Sequence, residues 1–157
     1  MLKLPIQEEH VSVRRTYLLL MKALLDLLAE MPFEKISLTD ICRVSMVSRS
    51  TFYRYFEDKY DLVNWYFQSG ITRFLVELSA YSSWNALLAA LETYFLENKV
   101  FYCNALAYNG QNSLQQYMFD YLRSIFEQNA RELNPDASAE ETRKIGQFFA
   151  GAMMGIL

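Results

Sequence analysis

Histidine, cysteine and glycine are scarce in this 157-residue chain, and each scarcity removes a class of chemistry. The single histidine, His10, falls in a segment expected to fray, so no histidine-based acid–base or metal set is available. The two cysteines, Cys42 and Cys103, stand far apart and match no metal-ligand spacing. Nothing implies a disulfide, which favours a reducing cytoplasm. Both thiols read as helix-core residues, Cys42 at a close helix crossing. The five glycines form no phosphate-cradling loop, and no nucleophile-elbow pattern occurs. Neighbouring acids such as Glu8-Glu9 and Glu140-Glu141 point apart and read as solvated helix starts. The chain is therefore expected not to be an enzyme, with no catalytic residue, no metal ligand and no cofactor.

Long apolar runs are missing too. The longest wholly apolar or small stretch, Phe148–Leu157, is too short to span a bilayer. The N-terminus, MLKLPIQEEH, carries acids and a proline where a signal peptide needs an apolar run, so a cytoplasmic location is expected. A basic excess is also absent, the net charge being −3, so any nucleic-acid-binding face must be local. Residues 1–60 hold nine basic and eight acidic side chains, and the remainder six and ten. Arg43, Arg49, Arg54 and Lys59 are the cations from which such a face would be built, and an acidic remainder would confine DNA to it.

What is abundant is apolar and aromatic: 52% hydrophobic residues, with 11 Tyr and 11 Phe. Strand signals are nearly absent and helical periodicity recurs, so the fold class is all-α. A first helix runs from about Val11 to Glu30, with Tyr17, Leu20, Met21, Leu24 and Leu28 inward, and Met31-Pro32 ends it. A helix from Lys59 to about Ser79 carries Leu62, Tyr66, Ile71, Phe74 and Leu78 inward and a bend at Gly70. Tyr81-Ser82-Ser83 is a loop, with Ser83 capping Trp84 to Glu97; Asn98 breaks that helix and Lys99 to Tyr108 follows. Asn109-Gly110 is a turn. Ser113 or Asn112 then caps a helix to Leu133 with Tyr117, Tyr121, Ile125 and Phe126 inward. Ser138-x-x-Glu141 is a capping box for the last helix. That helix is still apolar at Leu157, without a C-cap, so the natural chain is expected to continue. Its glycines, Gly151 and Gly155, leave two readings: packing within its own domain, or a subunit interface.

Residues 36–59, ISLTDICRVSMVSRSTFYRYFEDK, carry the chemistry. Ser37-x-x-Asp40 is a capping box, and Ile41 faces inward on the helix it opens. Ser45, like Cys42, is small where two helices must cross, and Val47 plugs the turn. Ser48 is an N-cap for a helix over Arg49–Phe56, with Phe52 and Phe56 four apart on one face. The opposite face bears Arg49, Ser50, Tyr53 and Arg54, donors suited to bases and phosphates. Asp58 caps the next helix. Met46 occupies a turn position that tends toward positive φ, at a cost of about 1 kcal/mol.

This segment, with the long helix before it, resembles the N-terminal domain of TetR-family transcriptional regulators. The V-S-R-x-T-F-Y-R-Y-F-x-D-K-Y-D-L run of Val47 to Leu62 is close to that family's signature, and Arg14–Leu62 covers about a third of the chain. Weaker echoes, Tyr60–Trp65 and Gly110-Gln111-Asn112-Ser113, are similar to regulators of dihydroxyacetone kinase operons. Met46 departs from the family pattern, which has glycine or asparagine there.

The resemblance implies a helix-turn-helix head over about 1–57 and a helical regulatory and dimerisation body over about 58–157. It also implies a ligand-responsive regulator, expected to repress, binding a pseudo-palindromic DNA operator as a homodimer with a possible small-molecule effector. By resemblance and geometry, Thr39, Arg49 and Arg54 are expected at base edges with Ser50 alongside, and Thr51, Tyr53, Tyr55 and Lys59 at phosphates. Tyr55 has a second reading, packing beside Phe52 while its hydroxyl reaches a phosphate. An effector pocket is expected among Trp65, Phe74, Tyr94, Phe101, Tyr102, Tyr117 and Tyr121. A dimer face is expected at Phe148, Gly151, Ala152 and Gly155. The rival reading is a helical adaptor with the same fold that binds a protein partner instead of DNA.

Overall fold

The computed structural model of the protein describes residues 11–76 and 83–155; the side chains of 11–13, 73–76 and 84 are outside that description. The described residues contain helices and no strand. The helices are α1 (Val11–Glu30), α2 (Leu38–Ser45), α3 (Arg49–Tyr53), α4 (Lys59–Val76), α5 (Trp84–Glu97), α6 (Lys99–Leu106), α7 (Leu114–Leu133) and α8 (Ala139–Met154), with a 3-10 turn at Phe33–Lys35. Among the described residues no helix is long and apolar enough to cross a membrane.

The helices group into two compact units, residues 1–109 and 110–157. In the first, α1 packs against α2 and also against α6, which joins α4 to α6 with the expected head. The packing division thus falls at 109/110, whereas the functional division expected from the resemblance falls at 57/58. Burial drives the first unit: Tyr17, Leu20, Met21, Leu24 and Leu28 of α1 are all buried, the expected inward stripe. Ile41, Phe52, Phe56 and Leu62 close the same core and are almost wholly buried.

Several local expectations shift. α3 is regular only from Arg49 to Tyr53, and the chain reaches Phe56 through turns in which the Tyr55 and Phe56 amides both donate to the Phe52 carbonyl. α6 ends at Leu106 rather than Tyr108. The end expected for α4 near Ser79, with Leu78, lies outside the described residues, as do Tyr81-Ser82 and the terminus at Leu157. Cys103, expected in the core, is exposed, and Cys42 is half-buried. Gly70 owes its place to a close neighbour: a Cβ there would overlap the Tyr94 hydroxyl.

In the second unit α7 packs along α8. The buried stripe of α7 is Leu114, Met118, Tyr121 and Leu122, while Tyr117, Ile125 and Phe126 are half-buried. The inward face is therefore turned from the expected one. Thr142, Gly146 and Ala150, each four apart, form the inward stripe of α8. Gly146 is the glycine that permits close approach, since a Cβ there would stand 2.8 Å from the Arg123 carbonyl. The capping box at Ser138 is formed, its hydroxyl accepting from the Glu141 amide at 3.3 Å. Positive φ in the loop before α7 falls on Asn112 (62°).

Candidate nucleic-acid interface

Four local devices close the starts of α2 and α3 and the turn between them. The Ser37 hydroxyl accepts the Asp40 amide at 3.2 Å, and the Asp40 carboxylate accepts the Ser37 amide at 3.1 Å, so the first turn of α2 is closed reciprocally. These Ser37 bonds, with Arg43 beside it, hold the Asp40 carboxyl below its ordinary value. Met46 takes the left-handed conformation (φ 55°) with its side chain 89% exposed, so the turn is bent without any apolar gain from that residue. The buried Ser45 hydroxyl accepts the Val47 amide at 3.2 Å, which ties the chain across the turn. The Ser48 hydroxyl then accepts the Thr51 amide at 3.1 Å and opens α3.

With Phe52 and Phe56 drawn into the core, Arg49, Ser50, Tyr53 and Arg54 are left exposed. Arg49 reaches back to α2 and donates from Nη2 to the Thr39 hydroxyl. The Ser50 and Thr51 hydroxyls stand 3.0 and 2.8 Å from the Ser48 hydroxyl, a small polar cluster on the first turn. Tyr55 is half-buried against Tyr17, ring centroids 5.3 Å apart, with the Arg54 guanidinium 6.0 Å from its ring centre. Arg43 pairs with Asp40 at 3.3 Å on the exposed side of α2.

Lys59, expected at a phosphate, is engaged within the protein. Its ammonium donates to the carbonyls of Phe33, Glu34 and Ile36 at 3.0, 3.2 and 2.7 Å. It also lies 4.6 Å from the centre of the Phe33 ring. Three N–H groups meet three acceptors, so a phosphate at this position would compete with the connector between α1 and α2. Burial lowers its pKa, and Glu34 and Asp58 oppose that shift. The expected Asp58 cap is present, its carboxylate accepting the Asp61 amide at 2.8 Å.

Sequence reasoning missed the aromatic cluster beside this lysine. Phe33 meets Tyr60 and Tyr108 edge-on, with centroids 5.4 and 5.9 Å away, and the Tyr60 hydroxyl donates to that of Tyr108 at 3.2 Å. Partners 27 to 75 residues apart leave no trace in a local pattern.

The residues expected around an effector fall into separate groups. Trp65 stacks on Tyr17 (4.6 Å, 10°) beside Phe56, inside the head core. Tyr94 and Tyr102 share a hydrogen bond of 2.9 Å, and Phe101 packs on Tyr66, whose hydroxyl donates to Asn98 at 2.5 Å. Tyr117 and Tyr121 stack on each other in the second unit. The Phe74 side chain lies outside the described residues. On α8, Phe148 is 71% exposed, and Gly151, Ala152 and Gly155 are exposed with it.

Comparison with known proteins agrees at both ends of the chain. The model for bacterial regulatory proteins of the tetR family matches residues 20–69, and one for a transcriptional regulator C-terminal region matches residues 82–157. The HTH-type dhaKLM operon transcriptional activator DhaS of Lactococcus lactis subsp. lactis (strain IL1403) is 32% identical over 87 residues, which cover 55% of this chain and 46% of that protein. The matched region thus spans about half the length of that relative. A solved structure, the dihydroxyacetone kinase operon activator DhaS, shares the fold with a TM-score of 0.59 at 23% identity, over 90% of this chain and 81% of that one. From the capped helix-turn-helix and the matches to both regions, the chain belongs to the TetR family of transcriptional regulators.

Proposed function

We propose that the protein is a sequence-specific DNA-binding regulator that reads duplex DNA with α2 and α3. The supporting observation is the exposed donor row Arg49, Ser50, Tyr53 and Arg54, held opposite the buried Phe52 and Phe56 by a closed capping box, a left-handed turn and an N-cap. Thr39, Arg49 and Arg54 address base edges with Ser50 alongside, and Thr51, Tyr53 and Tyr55 address phosphates. Pull-down of genomic fragments with the protein, followed by sequencing, should enrich a two-fold-related motif. Enrichment of no motif, with retention of a protein partner instead, would establish the adaptor reading.

The regulator works as a homodimer through the exposed α8 face of Phe148, Gly151, Ala152 and Gly155. Support comes from an apolar face with open space at Gly151, where a Cβ would meet nothing within 4 Å. Sedimentation should give a dimer that Gly151→Glu or Ala152→Glu weakens. A monomer that binds its operator tightly would refute this. An effector would act through the tyrosine-rich region of Tyr94, Phe101 and Tyr102, and loss of operator affinity on adding it is the measurable sign.

The resemblance leads to repression, but the Lactococcus relative is named an activator. A reporter placed behind the enriched motif distinguishes the two by whether deleting the regulator raises or lowers expression.

A further inference from the structure

Arg49 occupies the first position of α3, where free backbone N–H groups repel a cation and nothing on α3 itself directs the side chain. The Ser48 hydroxyl, its nearest polar neighbour in sequence, is already taken up by the Thr51 amide and the Ser50 and Thr51 hydroxyls. Asp40 is engaged by Ser37 and Arg43. The guanidinium instead crosses to α2 and rests on the Thr39 hydroxyl. Among the described residues no carboxylate pairs with it.

We infer that Thr39 is a positioning residue for Arg49, and that the two form one reading unit for a guanine edge in the major groove. This rests on the proposed DNA-reading role of α3. A guanidinium has five N–H donors, so one spent on Thr39 leaves four, enough for the O6 and N7 of guanine. The threonine hydroxyl accepts from Arg49 and keeps its own O–H to donate, so the pair presents a longer donor array than arginine alone. The anchor is neutral, and the cation's charge remains available to DNA. Holding a long side chain before DNA arrives spares the ordering cost of binding, a difference of about threefold to tenfold in affinity for the correct base.

The test is a double-mutant cycle on duplexes that the protein itself selects from a randomised pool. Arg49→Ala first identifies the base pair at which preference is lost. Thr39→Val, which keeps the shape and removes the hydroxyl, should reduce preference at that same base pair about threefold to tenfold. Thr39→Ser, which keeps the hydroxyl, should retain it, and Thr39→Val should lose most of its effect in the Arg49→Ala background. Circular dichroism and melting of each variant should match the parent, since Thr39 and Arg49 are both exposed. Thr39→Val having no effect, acting at a different base pair, or keeping its full effect without Arg49 would overturn the pairing while leaving DNA reading intact. Arg49→Ala leaving preference unchanged everywhere would overturn both.

Discussion

Replacing Lys59 by methionine keeps the length and apolar stem of the side chain and deletes every donor. The ammonium serves three carbonyls, of Phe33, Glu34 and Ile36, at 3.0, 3.2 and 2.7 Å, and lies over the Phe33 ring. A hydrogen bond to a charged group contributes about 1.5–3 kcal/mol, so three bonds taken singly overstate the loss. Lys59 is only half-buried and water can reach part of the site, notably the exposed Glu34, so the net cost should be about 2–3 kcal/mol. Urea unfolding should show a lower midpoint with an unchanged slope. The affinity for DNA, measured across salt concentrations, should then fall without a change in salt dependence. Each lost phosphate contact would instead flatten the dependence by about 0.9 in the log–log slope. Unchanged stability together with a flatter salt dependence would refute the reasoning and make Lys59 a phosphate ligand.

Phe52→Ala empties a fully buried site beside Phe56 and should cost about 3–5 kcal/mol, seen as early thermal loss of helical signal. Gly70→Ala should destabilise although alanine favours helix by about 1 kcal/mol, because the new Cβ displaces the Tyr94 hydroxyl and breaks its bond to Tyr102; a stabilised variant would contradict this packing. Tyr60 is pushed up to about 12 by its bond to Tyr108 and then by burial, and Tyr66 to about 12 by burial and then Tyr94. Both phenols are raised in the folded state, so the stability they contribute is complete below pH 10 and lost as pH rises through about 12. Phenolate absorbance should show a late-titrating group that unfolding in urea converts to ordinary titration.

Local grammar carried most of the head's geometry. Ser37-x-x-Asp40, Ser48, Asp58 and Ser138-x-x-Glu141 all cap as their spacing implies, because a cap joins residues three apart. Met46 adopts the expected positive φ for a similarly local reason. What escaped the sequence is contact at long range. The carbonyl seat of Lys59, the Thr39–Arg49 contact and the Phe33–Tyr60–Tyr108 cluster join residues ten to 75 positions apart, which no periodicity encodes. Periodicity also mistook facing by part of a turn: Cys103 lies outward, and α7 buries Met118 and Leu122 ahead of Ile125 and Phe126. Gly70 read as a bend because a missing side chain does not reveal the tyrosine that fills its place.

The central claim is that the exposed arginines of the helix-turn-helix read sequence. Its most direct test is the ratio of dissociation constants for a self-selected duplex and a scrambled one, measured for the parent, Arg49→Ala and Arg54→Ala. The parent should prefer the selected duplex, and each variant should lose about 1–3 kcal/mol of that preference at one base pair per half-site. Variants that discriminate between the two duplexes as well as the parent does would contradict the account.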